Sequence, residues 1–311
     1  MSRSWFQTAP SNIALIKYMG KTEGNVPTNP SLSYTLESYL SGVCIQEVQD
    51  AEKDCWVPLK KEGWLPVSLT PFAQDRYLSH WQFLKSYWDI EGHYRIASAN
   101  NFSMSCGLAS SASSFAALTK CAYEVAKVRG RNFKPLSSEE LAALSRKGSG
   151  SSCRSFFSPW AYWDKEHVEA YSCSFNQLLH QVVLLDSRVK EVSSSEAHQR
   201  VRSSLLFSNR VERAHQRCQE LKESLEKGLW KEAFQLCWEE MWDMHTLFET
   251  ARPSFGYMNG KAVDFLHFVR RFWKKRGDGP LVTMDAGPNV HLLFREDQKG
   301  IKNEFSNHSL W

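Results

Sequence analysis

Asn101–Ala117 reads NFSMSCGLASSASSFAA, a run of small and hydroxylated residues that passes straight into an apolar-periodic segment. Phe115, Leu118, Ala122 and Val125 recur at helical spacing. The run therefore predicts a loop, Ser105 to Ser111, that opens a helix. A helix start offers free backbone N–H groups and a partial positive charge. Gly107 lets the backbone approach a ligand closely, and Ser110, Ser111 and Ser113 add hydroxyls. This combination suits a phosphate. The stretch is neither a Walker loop nor a dinucleotide fingerprint, because it lacks both GxxxxGKS/T and GxGxxG. On composition alone, a Ser-rich helix cap without chemistry is the other reading. His93–Asn100 (HYRIASAN) reads as a strand feeding the loop, so the unit is strand, loop, helix.

A second Ser/Gly loop follows at Arg146–Ser155, RKGSGSSCRS. Gly148 and Gly150 give backbone freedom, Ser149, Ser151 and Ser152 carry hydroxyls, and Arg154 can grip a carboxylate or phosphate with two prongs. A flexible linker is the alternative. It follows a short helix opened by Ser137 and Glu140, a capping-box pair. Upstream, residues 12–16 (NIALI) read as a strand running into KYMGK (17–21), a small cationic cluster. Ser31–Tyr39 and Gly42–Gln49 alternate apolar and polar, and are expected to pair as a hairpin. Residues 50–70 read as irregular and Ala73–Asp89 as a helix with Tyr77, Trp81, Leu84 and Trp88 inward.

In the second half, strands are expected near His167–Ser174 and Gln181–Leu185, and a polar irregular stretch from Val189 to Ser204. Two amphipathic helices span Asn209–Phe248, separated near Gly228, and another runs from Gly260 to Arg276. RRFWKKRG (270–277) at its end mixes cations with aromatics, which suggests RNA. Cations placed at a helix C-terminus before a capping Gly277 explain it more simply. Leu281–Phe294 reads as strand, tight turn, strand, with Asp285 just before Gly287-Pro288-Asn289. An acid there suits a catalytic base and suits turn stabilisation equally.

The 311-residue chain, 42% hydrophobic and 13% aromatic, has material for one large or two ordinary domains. Its net charge of +4 fits acidic small molecules without demanding nucleic acid. Eight cysteines are dispersed with no CxxC pair, and the ten histidines show no metal-ligand spacing. Reduced cytosolic thiols are expected. The first residues, broken by Lys17, do not read as a signal sequence, and no apolar run of membrane length occurs.

Taken together, APSNIALIKYMGK (9–21), NVPTNPSLSYTL (25–36), the NFSMSCGLASSAS run, RKGSGSSCRS and MDAGPN (284–289) resemble, in order and spacing, the diphosphomevalonate decarboxylases of the GHMP kinase superfamily. The resemblance covers roughly Ala9 to Phe294. It implies an α+β, two-domain GHMP kinase fold. Residues 1–182 would form a nucleotide-binding domain like ribosomal protein S5 domain 2, and residues 183–311 a ferredoxin-like domain, with the active site in the cleft between. It implies a cytoplasmic homodimer of the mevalonate pathway of isoprenoid biosynthesis, using ATP and Mg²⁺, with no nucleic-acid or membrane partner. The reaction would convert mevalonate 5-diphosphate to isopentenyl diphosphate, ADP, phosphate and carbon dioxide.

Residue by residue, the resemblance makes Asp285, Lys17 and Arg154 catalytic. Asp285 would orient or deprotonate the tertiary hydroxyl, and Arg154 would hold the substrate carboxylate. Tyr18, Lys21, Ser149, Ser151 and Ser204 would contact substrate or its diphosphate. Ser105, Gly107, Leu108, Ala109, Ser110, Ser111 and Ser113 would form the nucleotide phosphate loop, and the NVPTNPSLS segment would help line that pocket. Metal ligands are left unassigned. The chain departs from the family pattern at Met19, where Trp is usual, at Ser103, where Pro is usual, and between Trp242 and Met258, where only HTLFETARPSFGYMN is similar.

Two sister activities share the resemblance: mevalonate 3-kinases and phosphomevalonate decarboxylases. Lys17, Arg154 and Asp285 together favour decarboxylation, while Lys21 and the second-loop serines favour a diphosphate. A non-catalytic or RNA-binding protein on the S5-like fold is the reading from a different class, resting on mild basic charge and RRFWKKR.

Overall fold

The computed structural model describes residues 3–103, 110–186, 188 and 190–306. A large sheet carries the first half of the chain. β1 (Ser4–Ile16) pairs antiparallel with β2 (Ser31–Val48) along almost its whole length. The other edge of β2 pairs with β5 (His93–Asn100) through Ser41–Val48 and with β6 (Trp160–Asp164) through Ser31–Tyr34. β3 (Cys55–Pro58) and β4 (Leu65–Pro66) both pair with β5, and β7 (His167–Tyr171) with β6.

The expected hairpin at Ser41–Gly42 is instead one continuous strand. Gly42 does not turn the chain. A Cβ there would meet Trp64 at 2.8 Å and Phe6 at 2.9 Å, so the glycine admits two crossing aromatic rings. β3, β4 and β6 were not expected. β3 and β4 lie in the supposedly irregular stretch, and β6 lies in an aromatic run with no clean alternation.

Helices α1 (Pro71–Trp88), α2 (Ser110–Arg129) and α3 (Ser138–Gly148) cover this sheet. Tyr77, Trp81, Leu84 and Trp88 of α1 are buried as expected, against Phe115, Leu118, Ala122 and Val125 of α2. The capping box forms: Glu140 N donates to Ser137 Oγ at 3.2 Å and Ser137 N to Glu140 Oε2 at 2.7 Å.

β8 (Leu178–Val183) begins a second, three-stranded antiparallel sheet, β8-β10-β9, with β9 (Leu281–Met284) and β10 (Val290–Arg295). The intervening chain supplies α4 (Ser194–Arg200), α5 (Arg210–Glu226), α6 (Trp230–Glu249) and α7 (Gly260–Arg276), and α8 (Lys299–Ser306) closes the chain. α4 falls in the stretch read as irregular. Ser193 caps it, its Oγ accepting from Glu196 N at 3.2 Å.

Part of the RRFWKKRG tract has a structural role. Trp273 is buried, Arg276 makes a two-pronged pair with Glu304 at 2.9 Å per contact, and Gly277 at φ +70° closes the helix. Arg270, Arg271, Lys274 and Lys275 stay exposed, as cations at a helix C-terminus do.

One apolar core spans both halves. Ile13, Leu32, Tyr34 and Trp160 from the large sheet pack with Trp230 and Phe234 of the second half's helix Trp230–Glu249 and with Phe294 of its sheet. Trp160 is fully buried, meets Tyr34 edge-on at 5.0 Å and donates its indole N–H to Phe175 O at 2.7 Å. Trp160→Ala is expected to cost about 3–5 kcal/mol, with both halves unfolding in one transition. Denaturant titration followed by fluorescence and circular dichroism checks this; two separated transitions would contradict the shared core.

Candidate active site

β1 and β9 end at the same place. Lys17 follows the last residue of β1, and its ammonium donates to Asp285 Oδ1 at 2.6 Å, across 268 positions of chain. Asp285 follows β9 and starts the expected turn, with Gly287 N donating to Asp285 O at 2.7 Å. The Lys17 side chain is 2% exposed, whereas 28% of the Asp285 side chain stays open. It faces a cavity of about 290 Å³ that Arg154, Ser111, Lys190 and His198 also line. A larger hollow of about 680 Å³, lined by Glu37, Tyr39, His180 and Lys302, holds none of the candidate residues.

Burial pushes the Lys17 ammonium down from its ordinary value against the pull of Asp285. Burial acts upward on Asp285, but Lys17, His291 and Arg154 together hold its carboxyl below the usual range. Asp285 is therefore ionised at neutral pH and accepts hydrogen bonds strongly, while being a weak base.

Arg154 sits in a buried 3-10 turn, Gly150–Phe156, not in a flexible linker. It is 5% exposed. Its Nη1 donates to Ser31 Oγ at 2.5 Å, and its Nε has no hydrogen-bond partner among the described residues. Gly150 makes room for Tyr18: a Cβ there would lie 2.5 Å from the Tyr18 hydroxyl. Gly20, at φ +97°, turns the chain after Tyr18 in a conformation few side chains tolerate.

The other predicted residues divide. Tyr18, Ser110, Ser111 and Ser151 line the cavity. Lys21 Nζ donates to Asn25 Oδ1 at 2.9 Å, and the Tyr18 hydroxyl to Asn25 O at 3.2 Å. Ser113 is fully buried, with its Oγ 2.7 Å from Ser41 Oγ, so its hydroxyl faces the sheet and not a ligand. Ser149 is buried at the end of α3. Ser204 bonds Thr250 Oγ1 at 2.7 Å and caps Leu206 N at 3.2 Å. None of these three lines the cavity. Ser105, Gly107, Leu108 and Ala109 lie outside the described residues.

Sequence reasoning missed Lys190, Ser194, His198 and Met244, all on the cavity wall. Lys190 Nζ donates to Ala286 O at 2.5 Å. The His198 ring packs tilted against Tyr18 with centroids 4.3 Å apart, and its Nδ1 accepts from Gly20 N at 3.0 Å. The only available signal was the lone His in a Ser-rich stretch.

Three cations (Lys17, Arg154 and Lys190) face one carboxylate, so the cavity suits a polyanion. Among the described residues no group of three His, Cys, Asp or Glu could hold a metal. The donor set fits a divalent cation only as one carried on phosphates, with Asp285 and the hydroxyls of Ser110 and Ser111 as the nearby oxygens.

The family described as "Diphosphomevalonate decarboxylase-like N-terminal domain" matches residues 9–174, just over half of the chain. The chain belongs to the diphosphomevalonate decarboxylase family. The remainder of this family's architecture is present too, since the "Mevalonate 5-diphosphate decarboxylase C-terminal domain" matches residues 181–307. The solved mevalonate diphosphate decarboxylase from Legionella pneumophila is 46% identical, with a TM-score of 0.92 and coverage of 99% of this chain and 98% of that one. A structure of MDDEF in complex with MVAPP, AMPPCP and magnesium is 25% identical, with a TM-score of 0.86 over 99% of this chain and 94% of that one. The diphosphomevalonate decarboxylase of Saccharomyces cerevisiae is 28% identical across 92% of this chain and 76% of its own length.

These likenesses bear out the expected two-domain α+β GHMP kinase fold. Met19, where this family usually has Trp, is 2% exposed and packs with Val192, Val201, Met244 and Phe248. Met19 also lines the cavity. The seven cysteines among the described residues are free. No described helix is long and apolar enough to cross a membrane.

Proposed function

We propose that this chain catalyses the ATP-dependent decarboxylation of mevalonate 5-diphosphate to isopentenyl diphosphate, ADP, phosphate and carbon dioxide, in the mevalonate route to isoprenoids. The observation that carries the reading is the Lys17–Asp285 pair sharing one cavity wall with Arg154, whose Nε is unpartnered among the described residues. Family membership, and a relative crystallised with MVAPP, AMPPCP and magnesium, support it.

A tertiary alcohol leaves poorly, so its hydroxyl is first phosphorylated. Asp285, ionised and anchored by Lys17, accepts the hydroxyl hydrogen bond and aims its oxygen at the terminal phosphorus of ATP. As a weak base it contributes more by orientation than by early removal of the proton, which it takes up as the new O–P bond forms. Lys17 offsets the charge that gathers on the reacting phosphoryl oxygens. Mg²⁺ would neutralise charge on the nucleotide phosphates, with Asp285, Ser110 and Ser111 nearest to it. In the second stage Arg154 holds the carboxylate in line. The C1–C2 bond electrons form the C2–C3 double bond, the C3–O bond breaks, and phosphate departs with its electron pair.

His198 belongs to this reading as a substrate donor. Because Nδ1 accepts from Gly20, the neutral ring carries its proton on Nε2. Burial, then the charges of Lys21 and Arg154, hold its pKa down to about 3, so it stays neutral and donating. His198→Ala is expected to raise KM for the diphosphate about tenfold with kcat little changed. Initial-rate kinetics decide, and an unchanged KM removes His198 from substrate binding.

The reading includes a nucleotide-binding domain over residues 1–182 and a carboxy-terminal domain over 183–311, with β8 at the junction. It also includes a homodimer, checked by light scattering, and a cytoplasmic location. The deciding experiment incubates pure protein with ATP, Mg²⁺ and mevalonate 5-diphosphate, with the 5-monophosphate and mevalonate in parallel. Isopentenyl diphosphate from the diphosphate alone supports the reading. ADP without decarboxylated product makes the protein a 3-kinase, and product from the monophosphate makes it a phosphomevalonate decarboxylase.

A further inference from the structure

Lys17 lies one residue past β1, where the backbone has left the sheet. Its main-chain groups are taken up by buried side chains. The N–H donates to Glu240 Oε1 at 3.0 Å, and the C=O accepts from Asn29 Nδ2 at 2.9 Å and Arg210 Nη2 at 3.4 Å. Glu240 of α6 and Arg210 of α5 are both 0% exposed. They are joined through Arg210 Nη1 and Glu240 Oε2 at 3.0 Å, and by a shorter contact between Arg210 Nη2 and Glu240 Oε1. Arg217 Nη1 also reaches Glu240 Oε2 at 3.0 Å. Asp243, one turn along α6, gathers Arg213 at 2.7 Å, Arg217 at 2.6 Å and Arg210 at 3.4 Å.

A buried ionic network is a poor source of net stability, because desolvation of the charges offsets their attraction. It does fix geometry. A lysine ammonium rides on a flexible four-carbon stem, so holding it 2.6 Å from Asp285 requires both ends of that stem to be fixed. Asp285 fixes the tip. At the base, the groups that hold the Lys17 peptide from the carboxy-terminal side are Glu240 and Arg210.

We infer that the buried Glu240–Arg210 pair is a positioning device for Lys17, setting the ammonium against Asp285 from the opposite domain. The inference rests on the role given above to Lys17. The competing account is that the network only staples α5 to α6. Asp243 separates the two, since it binds three arginines of the same network and has no direct bond to Lys17.

The test compares Glu240→Gln with Asp243→Asn, by steady-state kinetics and by crystal structures. Positioning predicts that Glu240→Gln lowers kcat about 10²-fold, with KM for the diphosphate changed less than about threefold. It also predicts a Lys17 Nζ–Asp285 Oδ1 distance longer than 2.6 Å in that variant. Asp243→Asn loses thermal stability yet keeps kcat within about threefold. Equal loss of kcat in both variants, or an unmoved Lys17 in Glu240→Gln, overturns the inference. If Glu240→Gln does not fold, Arg210→Lys replaces it: a displaced Lys17 and lowered kcat support positioning, and wild-type values of both overturn it. A wild-type protein silent with mevalonate 5-diphosphate counts against the proposed activity, and the Lys17–Asp285 distance in the variants still decides the positioning.

Discussion

Asp285→Asn is expected to lower kcat by about 10²–10⁴-fold, the usual cost of losing a group that handles a proton in the transition state. The two side chains have the same shape, so the turn into β10 survives. What is lost is charge. Lys17, 2% exposed, would be left without its counter-ion, and the substrate hydroxyl without an ionised acceptor. Because the Asp285 carboxyl is held below the usual range, first against burial and then by Lys17 and His291, the wild-type residue stays charged at working pH. The drop should therefore persist across neutral pH and not be rescued by raising it. Circular dichroism establishes that the variant is folded. Turnover near the wild-type value would remove Asp285 from the chemistry.

Arg154→Lys should lower kcat/KM by about 10²-fold, the scale on which a misplaced reacting group loses rate. Lysine keeps the charge but not the planar fork that matches a carboxylate. The more telling readout is stoichiometry. Phosphorylation depends on Lys17 and Asp285, whereas C1–C2 cleavage depends on how the carboxylate is held. The variant should therefore form ADP in excess over isopentenyl diphosphate, where the wild type forms them one to one. A slow variant that keeps the one-to-one ratio would mean that Arg154 does not orient the carboxylate.

Much of this site was legible because its pieces are contiguous. KYMGK, RKGSGSSCRS and MDAGPN each carry their chemistry within a few residues, the helices α1 and α2 announce themselves by period, and α7 by period and its Gly277 cap. The misses share a cause: burial made by partners distant in the chain. Gly42 reads as a turn until Trp64 and Phe6 are seen crossing it. Ser110, Ser111 and Ser113 read alike, yet they lie in the first turn of α2, a central helix buried through Ala112, Ser113 and Ala116. Part of its small-residue content serves close packing and not phosphate. Glu240 sits 223 positions from the Lys17 amide it holds, and nothing local marks it. Lys190 and His198 lay in a stretch whose polarity suggested only a loop.

The same long separations govern how the molecule comes into being. Lys17 is synthesised 268 positions before Asp285. At translation rates of about 5–20 residues per second, the lysine waits roughly 13–54 s for its partner. Within that interval the growing chain carries Ile13 and Leu32, and later Trp160, with no second sheet to cover them. A fragment stopping at residue 182 should accordingly aggregate or remain bound to chaperones when expressed alone, and a soluble, monomeric fragment would show otherwise. The nascent protein is thus exposed to misassembly until β9 and β10 arrive, and a product that stops before Asp285 lacks the Lys17–Asp285 pair.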